Sequence, residues 1–366
     1  MHALDHNAGG PVDPRVLARF LEIERACPGN PASAHQLGRR ARAVVEDART
    51  QVAAALAVAV DDVVFCSGGT EANNLAVLGL GDRHKPVAMA PVEHPSVVEA
   101  ARARGIAWWS VDCDGLAQPQ RTEVEPGLLC LVHAQSEVGA IQPVAVAAAL
   151  ADEMKVPLHV DAAQSLGRIA LGDVVRVASS VSISPHKCGG LRGSGVLLVR
   201  DAERALHPLL RGGSQEHGLR PGTTSPSLAA ATALAIELAV QEQPQRAERM
   251  ASARDAFVHA LALHGIEHRV LTTRASLPNT AMIAFARVDG RALLPTLDLE
   301  SVCASHGSAC SSGSPQPPAV LLAMGLTDAE ARACVRFSFG ADTTADDARD
   351  AAMRVARGVA RVQKKN

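Results

Sequence analysis

Three features of the chain predict an α/β protein with a mainly parallel central sheet in a large domain and a smaller α+β domain toward the C-terminus. Short apolar runs alternate with helical patterns as far as Val199, as in sheets covered by helices on both faces. Thr70, His94, Ser136, Asp161 and Lys187 all fall just past the ends of these runs, where open α/β sheets bind their ligands. Beyond Arg211-Gly212-Gly213 the alternation gives way to two long helical patterns.

Taken in order, proline at position 14 opens a helix over 14–25, and residues 28–33, Pro-Gly-Asn-Pro-Ala-Ser, are turn chemistry. Apolar residues at 41, 44, 45, 48, 52, 55 and 56 lie on one face of a helix over 39–58. Strand 63–66 leads through Ser67-Gly68-Gly69-Thr70 into a helix over 71–80. Strands follow at 87–90, 106–111, 128–132 and 158–160, with helices at 96–104 and 144–155. Strands 181–183 and 196–199 bracket Ser184-Pro185-His186-Lys187 and the glycines at 189, 190, 193 and 195. The C-terminal part reads as helices at 227–241 and 245–264, a strand at 281–286 and a helix at 291–297. A long Ser/Gly/Pro-rich loop over 303–318 precedes a helix at 328–333, a strand at 335–339 and an amphipathic helix at 344–362.

Composition removes several function classes. With 366 residues, 47% hydrophobic and 20% charged, the chain is long enough for two domains. A net charge of -2 gives no electrostatic case for nucleic acid or an anionic membrane, and no apolar run is long enough to span a bilayer. Eight scattered cysteines and the absence of a basic, apolar leader predict a cytoplasmic protein with free thiols. No CxxC pair suggests a zinc knuckle. Tyrosine is absent, so the core must rest on Ala, Val and Leu.

The chemistry centres on Lys187. An amine between a strand end and a glycine turn is crowded and partly desolvated, as a Schiff-base nucleophile requires; an ordinary loop lysine would carry the same residues. Gly69 and Thr70 at a helix start offer N–H groups and a hydroxyl suited to phosphate, although many capped helices begin this way. Asp161 and Gln164 follow a strand, where the acid can hold a heterocyclic nitrogen protonated or cap the next helix. His159 and Asp161 share a strand face, yet no third metal ligand stands nearby. His94 offers an imidazole as a stacking plate or acid/base.

A phosphate cradle, an aspartate, a histidine and a lysine together describe a pyridoxal phosphate site. Nearly the whole chain resembles the cysteine desulfurases of the NifS/IscS type, fold-type-I pyridoxal phosphate enzymes. The matching motifs are Gly29-Asn30-Pro31-Ala32-Ser33, Ser67-Gly68-Gly69-Thr70-Glu71, Glu93-His94, His159-Val160-Asp161-Ala162-Ala163-Gln164 and Ser184-Pro185-His186-Lys187. Arg220-Pro221-Gly222-Thr223, Gly307-Ser308-Ala309-Cys310-Ser311-Ser312-Gly313 and Arg336-Phe337-Ser338 complete the set. The resemblance implies that Lys187 carries the cofactor, that His94 stacks on its ring and transfers protons, and that Asp161 pairs with the pyridine nitrogen. It assigns the ring oxygen to Gln164 and the phosphate to Gly69, Thr70, Ser184 and His186, with Thr223 reaching across a homodimer. Asn30 and Arg336 would bind the carboxylate of L-cysteine, and Cys310 would take its sulfur as a persulfide for an acceptor protein.

The same resemblance divides the chain into an N-terminal segment, 1–13, near the active site, a large cofactor-binding domain, 14–245, and a small domain, 246–366, carrying the cysteine loop. Two departures stand out. Gln135-Ser136 replaces the family's paired asparagines, leaving Ser136 beside the ring oxygen, and Gly9-Gly10 replaces its paired threonines. His306 also stands where serine is usual. Selenocysteine lyase, sulfinate desulfinase or aminotransferase chemistry on the same fold is the nearest alternative, and a non-catalytic scaffold is the one from another class.

Overall fold

The structure is a computed structural model and describes residues 1–201, 205–272, 275–307 and 317–363. The strands are β1 (His2–Ala3), β2 (Val63–Cys66), β3 (Val87–Met89), β4 (Ile106–Trp108), β5 (Leu128–Val132), β6 (Leu158–Asp161), β7 (Ser180–Ile183) and β8 (Gly195–Val199). β9 (His268–Val270), β10 (Thr280–Phe285), β11 (Val302–Cys303) and β12 (Cys334–Ser338) follow. Helices α1 (Pro14–Ala26), α2 (Gln36–Leu56), α3 (Gly69–Gly79), α4 (Pro95–Arg102), α5 (Val144–Met154) and α6 (Gly172–Val177) belong to the first part of the chain. The second part has α7 (Pro226–Gln241), α8 (Gln243–Leu263), α9 (Gly290–Leu299), α10 (Ala319–Ala323), α11 (Asp328–Arg332) and α12 (Ala345–Val362).

Seven strands form the main sheet in the order β2-β8-β7-β6-β5-β3-β4, and only β8 runs against its neighbours. Every residue of β2, β3, β5, β6, β7 and β8 is buried, and β2, β3, β5 and β8 accordingly read as continuous apolar runs. The C-terminal ends of β2, β5, β6 and β7 therefore share one edge, and that edge carries the candidate site.

A smaller antiparallel sheet, β12-β10-β9, packs with α8 and α12. Four of the six phenylalanines meet there: the Phe257 ring lies 4.7 Å from Phe337 and 5.4 Å from Phe339, and Phe285 lies 6.4 Å from Phe337. The scarce aromatics are thus spent on the smaller core, while Ala, Val and Leu fill the larger one.

The structure differs from the sequence expectation in short elements. β4 stops at Trp108 rather than 111, because Asp112 accepts from the backbone N–H groups of Asp114 and Leu116 (both 2.9 Å) and turns the chain. The loop expected from 303 begins as strand: β11 pairs in parallel with β1 and ties the N-terminus to the second part of the chain. α6, α10 and β9 span three to six residues, too short for periodicity to reveal.

Candidate active site

β7 ends at Ile183, and the chain closes one tight turn over Pro185–Lys187 before returning as β8. The Pro185 carbonyl accepts from Cys188 N (2.9 Å) and Gly190 N (2.8 Å). Gly189 follows at φ +100°, a conformation that side chains disfavour. This turn sets Lys187 in the wall of a cavity of about 400 Å³ at the sheet edge. Gly69, Thr70, His94, Ser136, Asp161, Gln164, Ser184, His186 and Arg336 line the same cavity.

One end of the cavity suits an anion. The first turn of α3 presents N–H groups that have no acceptor inside the helix. A Cβ at Gly69 would sit 2.2 Å from Ser184 Oγ, so only glycine lets the helix start approach the lysine loop. Burial and the charges of Lys187, Arg192 and Arg168 push His186 down to about 4, which makes it a neutral imidazole at ordinary pH. Arg192, which sequence reasoning did not single out, completes this end. Backbone N–H groups, Thr70, Ser184, a neutral histidine and a guanidinium form a donor set that fits a phosphate.

Across the cavity, Asp161 extends from the end of β6. Its Oδ1 accepts from Ala163 N (2.9 Å), capping a turn rather than a helix, and its Oδ2 accepts from Asn73 Nδ2 (2.8 Å). His159 uses both ring nitrogens, on Ser180 Oγ (2.8 Å) and Asn73 Oδ1 (3.1 Å), so it is a support for Asp161 rather than half of a metal site. His94 ends the turn before α4 and caps it, its Nδ1 accepting from Ser96 N (3.1 Å). Burial lowers its pKa, with the Asp161 charge opposing. Asn73 was missed as well. It is an amide on the buried face of α3, between Ala72 and Leu75, and a polar residue at such a position is the signal that could have marked it.

Arg336, 1% exposed, enters from β12. It pairs with Asp5 Oδ1 (2.6 Å) and donates to the Ser136 carbonyl (2.9 Å), while its buried Nε has no hydrogen-bond partner. Asn7 binds the same loop through Nδ2 to Ser136 O (3.0 Å) and Thr280 Oγ1 (2.9 Å). The Gln164 amide is engaged at both ends: Nε2 donates to Asn7 O (3.0 Å), and Oε1 accepts from Arg168.

Two expected site residues are not brought to this cavity, and a third lies outside the described residues. Thr223 is exposed and lines a neighbouring pocket of about 170 Å³, which also touches Ser67 and Gly193. Asn30 is exposed and accepts from Ala32 N (2.9 Å), holding its own turn. Cys310 lies outside the described residues. Gly307 and Pro317, on either side of its segment, line a larger cleft of about 880 Å³ that shares Val92, His94 and Ser136 with the cavity.

The chain belongs to the aminotransferase class-V family, whose model matches residues 2–350. Family membership implies the use of pyridoxal phosphate. The chain is 34% identical to the protein named cysteine desulfurase IscS of Dictyoglomus turgidum, over 94% of this chain and 91% of that one. It is 32% identical to the IscS-like cysteine desulfurase of Mycobacterium tuberculosis, over 100% of this chain and 98% of that one. Among solved structures, a NifS-like protein superposes with a TM-score of 0.88 at 28% identity, covering 99% of this chain and all of that one.

Proposed function

We propose that this chain is a pyridoxal-phosphate-dependent cysteine desulfurase that converts L-cysteine to L-alanine and holds the sulfur as a persulfide on Cys310. The observation that carries the reading is the convergence of Lys187, Asp161, His94, Arg336 and the anion-binding start of α3 on one cavity. The names of its relatives add support across nearly the full chain.

The residues present fit the cofactor. Lys187 would hold its aldehyde carbon, Asp161 its ring nitrogen, His94 its ring face, and Gly69, Thr70, Ser184 and His186 its phosphate. Bound there, pyridoxal phosphate supplies an electron sink for charge developing at the substrate α-carbon. Arg336 orients the substrate carboxylate, and Lys187 Nζ removes the α-proton. The Cys310 thiolate attacks the substrate sulfur; the carbon–sulfur bond breaks, and its electron pair stays with carbon, which takes up protons to give alanine. The balance is L-cysteine plus protein thiol to L-alanine plus protein persulfide.

An acceptor protein then takes the sulfur for iron–sulfur cluster or other sulfur-containing biosynthesis. The working unit is a homodimer, a reading supported by the exposure of Thr223 outside its own chain's cavity. The seven described cysteines are all unpaired, which favours a reducing compartment such as the cytoplasm. Among the described residues no helix is long and apolar enough to cross a membrane. The test is alanine release from cysteine and from selenocysteine by the wild type and by Cys310→Ala. Release from cysteine that needs Cys310 supports the proposal; release from selenocysteine alone, or indifference to Cys310, overturns it.

A further inference from the structure

Behind the cavity, six polar side chains form one continuous hydrogen-bond chain, and the direction of each bond can be worked out. Asn73 is 2% exposed, and its Nδ2 lies 2.8 Å from both Asp161 Oδ2 and Ser96 Oγ. A carboxylate oxygen only accepts, so the amide nitrogen must be the atom that faces Asp161. Its second hydrogen points to Ser96 Oγ, which therefore accepts from Asn73. The Ser96 hydroxyl hydrogen is then free to go to His94 Nδ1, 2.7 Å away. Ser96 N donates to the same ring nitrogen at 3.1 Å. Two donors converge on His94 Nδ1, so its proton resides on Nε2.

The other end is ordered by the same rule. Asn73 Oδ1 can only accept, so His159 Nε2, at 3.1 Å, carries a hydrogen. His159 Nδ1 then accepts from Ser180 Oγ at 2.8 Å. Burial pushes His159 down to about 4, consistent with a neutral ring that has one donor and one acceptor nitrogen.

We propose that Asn73 is a positioning residue that fixes the polarity of this chain, holding Asp161 as a pure acceptor and His94 as its Nε2–H tautomer. The amide is suited to this because it donates two hydrogens and accepts at once, all without charge. A consequence for the proposed reaction, on which this part rests, is that His94 meets the bound molecules as a hydrogen-bond donor. It can take up a second proton at Nδ1 only after the Ser96 hydroxyl has turned away.

The experiment is nitrogen NMR of the full-length protein with labelled histidine, recorded with and without pyridoxal phosphate, on the wild type, Asn73→Asp and Ser96→Ala. The wild type should show His94 with a protonated Nε2 and a hydrogen-bonded, unprotonated Nδ1. Asn73→Asp replaces the donor with an acceptor: the Ser96 hydroxyl turns toward it, only the Ser96 backbone N–H still donates to His94 Nδ1, and the Nδ1 resonance should shift toward that of a more weakly bonded nitrogen. Ser96→Ala removes the hydroxyl without adding charge and should shift the Nδ1 resonance toward that of a more weakly bonded nitrogen. It covers the case in which the second carboxylate prevents folding. A wild-type His94 carrying its proton on Nδ1, or identical ring signals in the wild type and every folded variant, overturns the proposal. None of these readings depends on turnover, so loss of the desulfurase assignment would be seen separately in the alanine assay.

Discussion

Arg336 Nη2 and Asp5 Oδ1 lie 2.6 Å apart, joining the β12 strand to the N-terminal segment at the mouth of the cavity. The guanidinium is 1% exposed and the carboxylate side chain 29%, so the pair is half screened. Its effect is to aim the fork: one nitrogen goes to Asp5, one to the Ser136 carbonyl (2.9 Å), and Nε is left for a further acceptor. A substrate carboxylate docking at Nε would share the guanidinium with Asp5. Arg336→Lys cannot reproduce the fork. Charged hydrogen bonds are worth about 1.5–3 kcal/mol, so KM for cysteine should rise roughly 10- to 150-fold with a smaller change in kcat. An unchanged KM would remove Arg336 from substrate binding.

Asp5→Asn tests the other partner. It keeps the shape but leaves the buried guanidinium without its counter-charge, and breaking a buried pair typically costs about 3–5 kcal/mol. Solvent at Asp5 reduces this, so a loss of about 1–3 kcal/mol in unfolding free energy is expected. Denaturant unfolding measures it. No loss would mean that Asn7 and β1 hold the N-terminal segment without help from this pair.

Lys187→Ala should lower turnover by at least roughly 10³-fold, since it removes both the covalent anchor and the base, and acid–base contributions alone span about 10²–10⁴. Noncovalent cofactor binding should persist through the phosphate contacts. Borohydride reduction of the wild type followed by peptide mapping should label Lys187. A label on Lys85 or Lys155 instead would end the assignment.

The sequence disclosed the main sheet because most of its strands are buried and several are apolar on both faces, as β5 and β8 illustrate. It disclosed Lys187, Asp161, His94 and the Gly69-Thr70 helix start because each sits at a break between elements, where local chemistry is visible. It did not disclose Asn73, Ser96 or Arg192. Asn73 acts through Asp161, 88 residues away in the chain, and its one local mark is a polar side chain on an apolar helix face; Ser96 reads as an ordinary residue of the first helical turn after His94. Arg192 looks like any turn cation until the β7–β8 return folds it against His186. β1 and β11, two residues each, form only where the N-terminal segment meets residues 302–303, a pairing that no local pattern announces.

Glu93 should give the protein a distinctive pH dependence. Its Oε1 accepts from Val132 N (2.6 Å), its buried Oε2 has no partner, and burial pushes it up to about 8, helped by the Asp161 charge and opposed by the Val132 bond. The folded state thus keeps a proton that the unfolded chain loses near its ordinary value of 4.5. Between those two values folding takes up a proton, so this group's contribution to stability falls as pH rises and levels off above about 8. Glu93→Gln keeps the acceptor and removes the titration. Its stability relative to wild type should therefore increase steadily from pH 5 to pH 8, as followed by thermal unfolding. A constant difference across that range would mean that Glu93 is ionised in the folded protein.

Ser136 stands beside the proposed ring oxygen where the resemblance implies an asparagine, and the structure narrows what can compensate for it. Gln135 is the obvious substitute amide, but it is 3% exposed and makes three hydrogen bonds within its own turn. Its Oε1 accepts from Glu137 N (2.6 Å) and Val138 N (2.8 Å), and its Nε2 donates to Glu137 Oε2 (2.9 Å). Swinging it into the cavity would break three bonds to make one. The Ser136 backbone, meanwhile, is pinned by Asn7 and Arg336, so a longer side chain at this position would start from a fixed point in the cavity wall. An asparagine there should regain one neutral hydrogen bond, worth roughly 0.5–1.5 kcal/mol, and tighten pyridoxal phosphate about 2- to 12-fold. Gln135→Ala should instead lower stability through the freed N–H groups of Glu137 and Val138, with little change in cofactor affinity. Equilibrium dissociation of the cofactor, measured on the wild type and both variants, separates the two. If Gln135→Ala weakens cofactor binding while Ser136→Asn leaves it unchanged, the amide at 135 reaches the cofactor after all, and the bonds it makes in its own turn do not restrain it.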